Sequence, residues 1–307
     1  RKESDTVEIQ SGFFNGFTTG TPLCARIVNS DQHSKDYSIL ADKMRPGHAD
    51  YAGHVRYQGF NDYRGGGHFS GRLTAPLVFA GAVAKQALAQ HGIVVGSHIL
   101  QINDIQEERF NPMGVSDAEL AELHAKKFAV MDDTVGEKMQ ERILQAKSEL
   151  NSVGGVVEAI ALHLLAGIGA PYFDSVESML SHALFSVPAV KGVEFGDGFG
   201  FAGMTGAEAN DALHYVDGKV LALTNHNGGV TGGITNGMPL VVRVAIKPTP
   251  SIAREQQTVS LKEQADTTLA IVGRHDPCIV QRAVPVIEAV VAWTLWDLLL
   301  EAKKWEK

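Results

Sequence analysis

The chain has 307 residues, 44% of them hydrophobic and 20% charged, with a formal net charge of −8. Such a composition belongs to a folded chain with a sizeable core, and the negative balance excludes broad attraction to nucleic acid or an anionic membrane. Two cysteines, Cys24 and Cys278, exclude a disulfide framework and fit a reducing cytoplasm.

In chain order, TVEIQ and LCARIV read as strands, with the glycine-rich SGFFNGFTTGTP between them. The Pro-Gly step in RPGHADY (45–51) is turn chemistry and places His48 and Asp50 on a loop. After the glycine-rich RGGGHFSGR (64–72), a helix is predicted over 74–90, with Pro76 in its first turn and Gly92 as its stop. HILQIN is a strand, Ser116 and Glu119 form a capping box before AELAELHAK, and a second amphipathic helix covers roughly 134–150. VVEAIALHLL is the next strand, and Asp174 with Glu177 repeats the capping pattern before VESMLSHALFSV. KGVEFG and LVVRVAI are strands, and the last helix runs from about Pro285 to Lys303. Its apolar stretch contains Glu288 and Asp297 and reads as a buried helix rather than a membrane span. No signal peptide and no Pro/Ser linker is visible, which predicts one intimately packed α+β unit over 1–307. The chain begins at Arg1 as if in mid-structure, so the unit is expected to be N-terminally incomplete.

An internal repeat organises these elements. SGFFNGFTTGTPLCARI (11–27) aligns without a gap on GGVTGGITNGMPLVVRV (228–244), matching Gly12/Gly229, Gly16/Gly233, Thr18/Thr235, Gly20/Gly237, Pro22/Pro239, Leu23/Leu240 and Arg26/Arg243. Each copy leads to a His/Asp loop, RPGHADY or GRHDPC, then to Arg72 or Arg282, a proline and a long apolar helix. The order predicts duplicated halves, about 1–110 and 220–307, that face one pocket and bring His48 near His275.

RGGGHFSGR precedes a helix, so its backbone N–H groups suit a phosphate, although a tight turn has the same composition and no Gly-Lys-Ser/Thr follows. Arg45, Arg64, Arg72 and Arg274 lie in or beside the glycine loops, and arginine's planar fork suits phosphate and carboxylate. KPTPS (247–251) is a stiff extended loop that can lie along a ligand or simply leave a strand. His226 and Asp276 are the other polar residues set in Gly/Pro loops. His33, His54, His91, His98, His124, His163, His182 and His214 are read as structural, and without HExxH or CxxC spacing no metal site is expected.

Taken together, SGFFNGFTTGTP, NSDQHSKDYS, RPGHADY, DYRGGG with SGR and TA, SVPAVKGVEFGDGF, TNHNGGVTGGITNGMP, IKPTPSI and GRHDPC resemble the chorismate synthase family, in the family's order and over nearly the whole chain. The resemblance implies a β-α-β sandwich with internal duplication, assembled as a homotetramer. It implies conversion of 5-enolpyruvylshikimate 3-phosphate to chorismate and phosphate, a 1,4-elimination that needs reduced FMN without net redox change, with NADPH a possible reductant. By the same resemblance His48 faces the flavin near N1 and the C2 carbonyl, and Asp276 and Ser70 assist proton removal through flavin N5. FMN contacts fall on His68, Phe69, Ser70, Pro188, Ala189, Gly232, Lys247, Pro248, Thr249, Pro250, Ser251 and Arg274. Substrate anchors fall on Arg45 and Arg72, with Arg64 beside them.

Two departures stand out. Where the family has Arg-Ser-Ser after the triple glycine, this chain has His68-Phe69-Ser70, losing a cation and a hydroxyl and gaining an aromatic ring. The family's N-terminal Gly-Glu-Ser-His-Gly, with a second catalytic histidine, is absent from the sequence and is expected upstream of Arg1. The competing reading is a non-catalytic flavin- or phosphate-binding homologue that has lost this half-site.

Overall fold

The structure is a computed structural model that describes residues 5–29, 40–271 and 276–303. At the N-terminus, β1 (Val7–Ser11) pairs with β4 (Cys24–Ile27), and β2 (Phe13–Phe14) with β3 (Phe17–Thr18). Helix α1 (Asp50–Arg56) opens at Asp50, so this aspartate begins a helix instead of sharing the loop with His48. An acidic side chain is stabilised by the first-turn N–H groups. Helix α2 (Thr74–Ala89) agrees with expectation, and Gly92 beyond it has φ +73°. Strand β5 (Val94–Ile102) starts upstream of HILQIN because Val95 is buried like the residues after it, and β6 (Ile105–Gln106) turns back on it.

Helix α3 (Asp117–Ala125) has both halves of the predicted Ser116–Glu119 capping box, and α4 (Asp133–Ser148) is capped by Asp132. Strand β7 (Gly155–Leu162) follows. Helix α5 (Val176–Ser186) is capped by Ser175 rather than Asp174; Ser175 Oγ accepts the Ser178 N–H at 3.1 Å, while Asp174 closes a short 3-10 turn. Beyond it lie β8 (Val190–Phe195), α6 (Gly206–Ala209) and the hairpin of β9 (Leu213–Val216) with β10 (Lys219–Ala222). Then come β11 (Val230–Thr231), β12 (Ile234–Thr235) and β13 (Leu240–Ile246). The polar hairpin β14 (Gln256–Ser260) with β15 (Ala265–Leu269) carries too few apolar residues to read as strands. Helix α7 (Val280–Lys303) begins more than a turn before Pro285: the proline removes one backbone bond, and burial of Val280, Ala283 and Val284 outweighs it.

The repeated segments adopt one conformation. Phe13 pairs with Thr18 and Phe14 with Phe17, as Val230 pairs with Thr235 and Thr231 with Ile234. Both hairpin tips have two consecutive positive φ values, 49° and 85° at Asn15 and Gly16, 63° and 85° at Gly232 and Gly233, as a type I′ turn requires. At the base, a Cβ on Gly12 would lie 2.6 Å from Leu23 Cα, and one on Gly229 would lie 2.5 Å from the Pro239 carbonyl oxygen. Only glycine fits either place.

β6, β5, β7, β13 and β8 form an antiparallel sheet in that order. One face, with Val95, Ile99, Val157, Ala159, Leu240, Val242 and Val244, packs on α2, α5 and α7 in the main core. Helix α2 crosses α7 where a Cβ on Gly81 would fall 2.2 Å from Ala289 Cβ. Beyond α2, Ala25 and Ile27 of β4 line a cavity of about 200 Å³ with Ala75, Pro76 and Phe79, while β1 is exposed throughout. Helix α7 is long and apolar enough to span a membrane, but 67% of that stretch is buried as the core helix, and Glu288 within it bonds to Ser97 Oγ and pairs with Lys85.

The sheet's other face carries a charged row, buried at all but Glu194. His98, Glu158, Arg243 and Glu194 stand directly opposite one another on β5, β7, β13 and β8. His98 Nε2 is 3.0 Å from Glu158, Arg243 Nη1 3.1 Å from Glu158, and Arg243 Nε 2.6 Å from Glu194. Glu107 pairs with His98 Nδ1 and accepts the Met131 and Asp132 N–H groups. Burial pushes the imidazole pKa down, but the two carboxylates outweigh it and hold it above its ordinary value. The structural reading of His98 is borne out.

Candidate functional site

At the end of the helical layer lies a cleft of two lobes. The histidine lobe, about 510 Å³, is lined by residues that include His48, His68, Phe69, Phe185, Pro188, Ala189, Lys191, Lys247, Thr249, Pro250 and Ser251. The aspartate lobe, about 500 Å³, is lined by Asp5, Ser70, Arg72, Asp276, Arg282 and apolar residues of α2 and α7. Gly71, Val187, Pro188 and Ile279 belong to both. Among the described residues, no group of three or more His, Cys, Asp or Glu is arranged to hold a metal.

The histidine lobe exists because three loops are tied together. Gly47, at φ +68°, turns the chain before His48. The Gly47 carbonyl accepts from Lys247 Nζ, and Arg45 Nη1 donates to Ser251 Oγ at 3.2 Å, so RPGH is fastened to KPTPS at both ends. Ala189 carries φ +75°, unusual for a residue with a Cβ, and its carbonyl accepts the Lys247 N–H at 2.9 Å. That bond brings Pro188 and Ala189 beside the same loop. Ser152 Oγ fixes it from behind on the Thr249 carbonyl, at 2.7 Å. Thr249 Oγ1 itself is buried with no hydrogen-bond partner among the described residues.

His48 is oriented by Asp50. Its Nδ1 lies 2.7 Å from Asp50 Oδ1, while Arg45 grips the same carboxylate through Nε at 2.7 Å and Nη2 at 2.8 Å. Arg45 Nη2 also stands 3.1 Å from His48 Nδ1, but a guanidinium accepts no proton, so Nδ1–H donates to Asp50 and Nε2 is left as the reactive nitrogen. Burial pushes the Asp50 carboxyl up; bonds from Arg45 and His48 overcome this and hold it well below the usual carboxylate range. The sequence flagged Asp50 beside His48 without showing that they touch.

In the aspartate lobe, Ser70 Oγ accepts the Arg72 N–H at 3.2 Å, capping the turn that starts α2. Arg72 Nη2 lies 2.7 Å from Asp5 Oδ1. Asp276 Oδ1 accepts the Cys278 N–H at 3.4 Å, and its Oδ2 lies 2.9 Å from Arg282 Nε without an aligned hydrogen bond. Burial, reinforced by Asp276, pushes the Cys278 thiol up to about 11, so it stays protonated and inert.

Several predicted site residues lie apart. Arg45 lines neither lobe; it is 9% exposed and its guanidinium is taken up by Asp50 and Ser251, which makes it scaffold for His48. Arg64 lines neither lobe and pairs with Asp62 at the surface. Pro248 packs behind the loop, where a Cβ on Gly154 would meet its Cδ at 3.0 Å. Gly232 is at the tip of the β11–β12 hairpin and lines neither lobe. Arg274 and His275 lie outside the described residues, as does His33. His226, 2.5 Å from Asp197, also lies outside both lobes.

Residues 1–300 match the chorismate synthase family. The chorismate synthase of Thermococcus gammatolerans is 48% identical over 307 residues, covering 100% of this chain and 84% of the relative. That of Pyrococcus abyssi is 46% identical over 306 residues, with the same coverage of 100% and 84%. A crystal structure of chorismate synthase superposes with a TM-score of 0.76 at 30% identity, covering 97% of this chain and 78% of that one.

Proposed function

The chain belongs to the chorismate synthase family, and we propose that reduced FMN occupies its histidine lobe and the phosphorylated substrate its aspartate lobe. The family's reaction converts 5-enolpyruvylshikimate 3-phosphate to chorismate and phosphate, a lyase step of the shikimate pathway. The observation that carries the placement is the junction of the lobes: His48 stands in one, Ser70 and Asp276 in the other, with Pro188 and Ile279 in both.

The histidine lobe suits a flavin mononucleotide in chemistry. Phe69 and Phe185 offer apolar ring surface, Lys191 and Lys247 offer cations, His68 offers ring nitrogens, and Thr249 Oγ1 is a buried hydroxyl in need of a partner. When bound, the reduced flavin supplies electron density while phosphate leaves. His48, held by Asp50, presents Nε2 to hold or deliver a proton near the flavin's anionic edge. Asp276 Oδ2, lacking an aligned donor, accepts the proton lost from C6, with Ser70 beside it in the same lobe. Arg72 anchors a substrate anion. A substrate seated against the apolar walls from α2 and α7 would displace water there and strengthen these charge interactions.

An anaerobic assay with dithionite-reduced FMN and 5-enolpyruvylshikimate 3-phosphate tests this reading. Chorismate and phosphate should appear in equal amounts. Flavin binding without turnover would favour the non-catalytic homologue. NADPH in place of dithionite shows whether the protein reduces its own flavin.

The assembly read from the resemblance is a homotetramer, and the two cysteines fit a reducing cytoplasm. Exposed Phe13, Phe14 and Phe17 on the N-terminal hairpin support self-association. Light scattering coupled to size exclusion measures it directly.

A further inference from the structure

The sequence sets Arg282 where the first repeat has Arg72, and the reaction as described leaves it without a task. Both arginines line the aspartate lobe, and each lies against an aspartate, Arg72 on Asp5 at 2.7 Å and Arg282 on Asp276 at 2.9 Å. Arg282 meets Asp276 only through Nε. Its side chain is 70% exposed, and neither of its terminal nitrogens has a partner among the described residues. Arg45 and Arg64, by contrast, close their forks on Asp50 and Asp62. Arg282 also stands in the first turn of α7, on a helix anchored by buried residues from Val280 to Leu299, so its base is rigid.

The charges of the lobe reinforce the point. Asp5, Arg72, Asp276 and Arg282 sum to zero, which leaves no surplus cation for a substrate that carries several negative charges. An arginine whose outer edge is open can receive an oxyanion in bidentate fashion while Nε stays on the aspartate. We propose that Arg282 is a second substrate anchor: its Nη1/Nη2 edge takes a carboxylate or phosphate of the substrate, and its Nε keeps Asp276 turned to the same ligand. The inference rests on the substrate reading of the aspartate lobe.

The test compares wild type with Arg282→Gln and Arg282→Lys, folding being checked by circular dichroism. Arg282→Gln should raise KM for 5-enolpyruvylshikimate 3-phosphate by about tenfold or more, with kcat changed less than about threefold and FMN affinity unchanged. Arg282→Lys should recover part of the loss, because it restores the charge but not the fork. Inhibition by inorganic phosphate separates the two anions: weakened inhibition in Arg282→Gln assigns the phosphate, and unaltered inhibition with the raised KM assigns a carboxylate. An unchanged KM overturns the proposal, as does a fall in kcat with a shifted pH profile at constant KM, which would make Arg282 only a support for Asp276. A wild-type protein that fails to turn over the substrate yet binds it more tightly than Arg282→Gln in calorimetry would defeat the catalytic reading and leave the anchor standing.

Discussion

His48 Nδ1 and Asp50 Oδ1 stand 2.7 Å apart, and Arg45 holds the same carboxylate from the other side. The contact fixes the imidazole tautomer and points Nε2 to the cleft. Asp50→Asn should therefore lower kcat by about 10- to 100-fold, with His48→Ala losing at least as much. Steady-state kinetics on folded protein checks both, and activity close to wild type in Asp50→Asn would remove its orienting role.

The same pair has a stability consequence. Arg45 is buried, so Asp50→Ala leaves an uncompensated charge and should cost about 3–5 kcal/mol in urea unfolding. The Asp50 carboxyl is depressed in the folded state. Its contribution is thus complete above the unfolded value near about 4 and is lost as pH falls further. Acid titration should find Asp50→Ala less pH-sensitive than wild type below that point.

Asp276→Asn keeps the shape of the aspartate lobe but removes a proton acceptor. Single-turnover measurements should show the chemical step slowed by about 100-fold or more, with FMN affinity within a factor of about two. Equal losses in both would mean a structural aspartate.

Phe69 lines the histidine lobe with its ring against α1, where a Cβ on Gly53 would lie 2.6 Å from its Cε2. Gly53→Ala should push the ring aside and weaken FMN binding by about three- to tenfold, measured by flavin fluorescence quenching. Adding Phe69→Ser should leave binding weak, because it removes the ring surface offered to the flavin.

Burial opposes the charge on His98, but Glu107 and Glu158 hold its pKa above the ordinary value. Its stabilisation is complete below about pH 6.5 and declines as pH rises through the folded-state value. Glu158 is depressed, since its bonds from His98, Phe110 and Arg243 outweigh burial, and its share fails only on the acid side. His98→Gln should lose about 3 kcal/mol or more at pH 6 and flatten the decline in stability on the alkaline side. Urea melts across pH show both.

Local signals made much of this molecule legible. The Ser116 capping box, the Gly92 stop, the strand LVVRVAI and the matched hairpins of 11–27 and 228–244 depend on residues a few positions apart. Motif order gave the family, and with it His48, Asp276 and the KPTPS loop. Where the sequence misled, a longer-range term intervened: burial carried α7 back past Pro285, and Ser175 took the cap expected of Asp174.

What the sequence settled by itself was the family and the local turns, strands and caps; it placed His48, Ser70, Arg72 and Asp276 in the cleft, but also Arg45, Arg64, Pro248 and Gly232, which line neither lobe. Which of them face a ligand was decided only by tertiary contacts between residues far apart in the chain. Arg45 and Arg282 are both arginines beside His/Asp loops, yet one is enclosed by Asp50 and Ser251 and the other keeps an open edge in the aspartate lobe. A guanidinium has a fixed number of donors, so whether it serves the fold or a ligand depends on which acceptors the folded chain brings to it first.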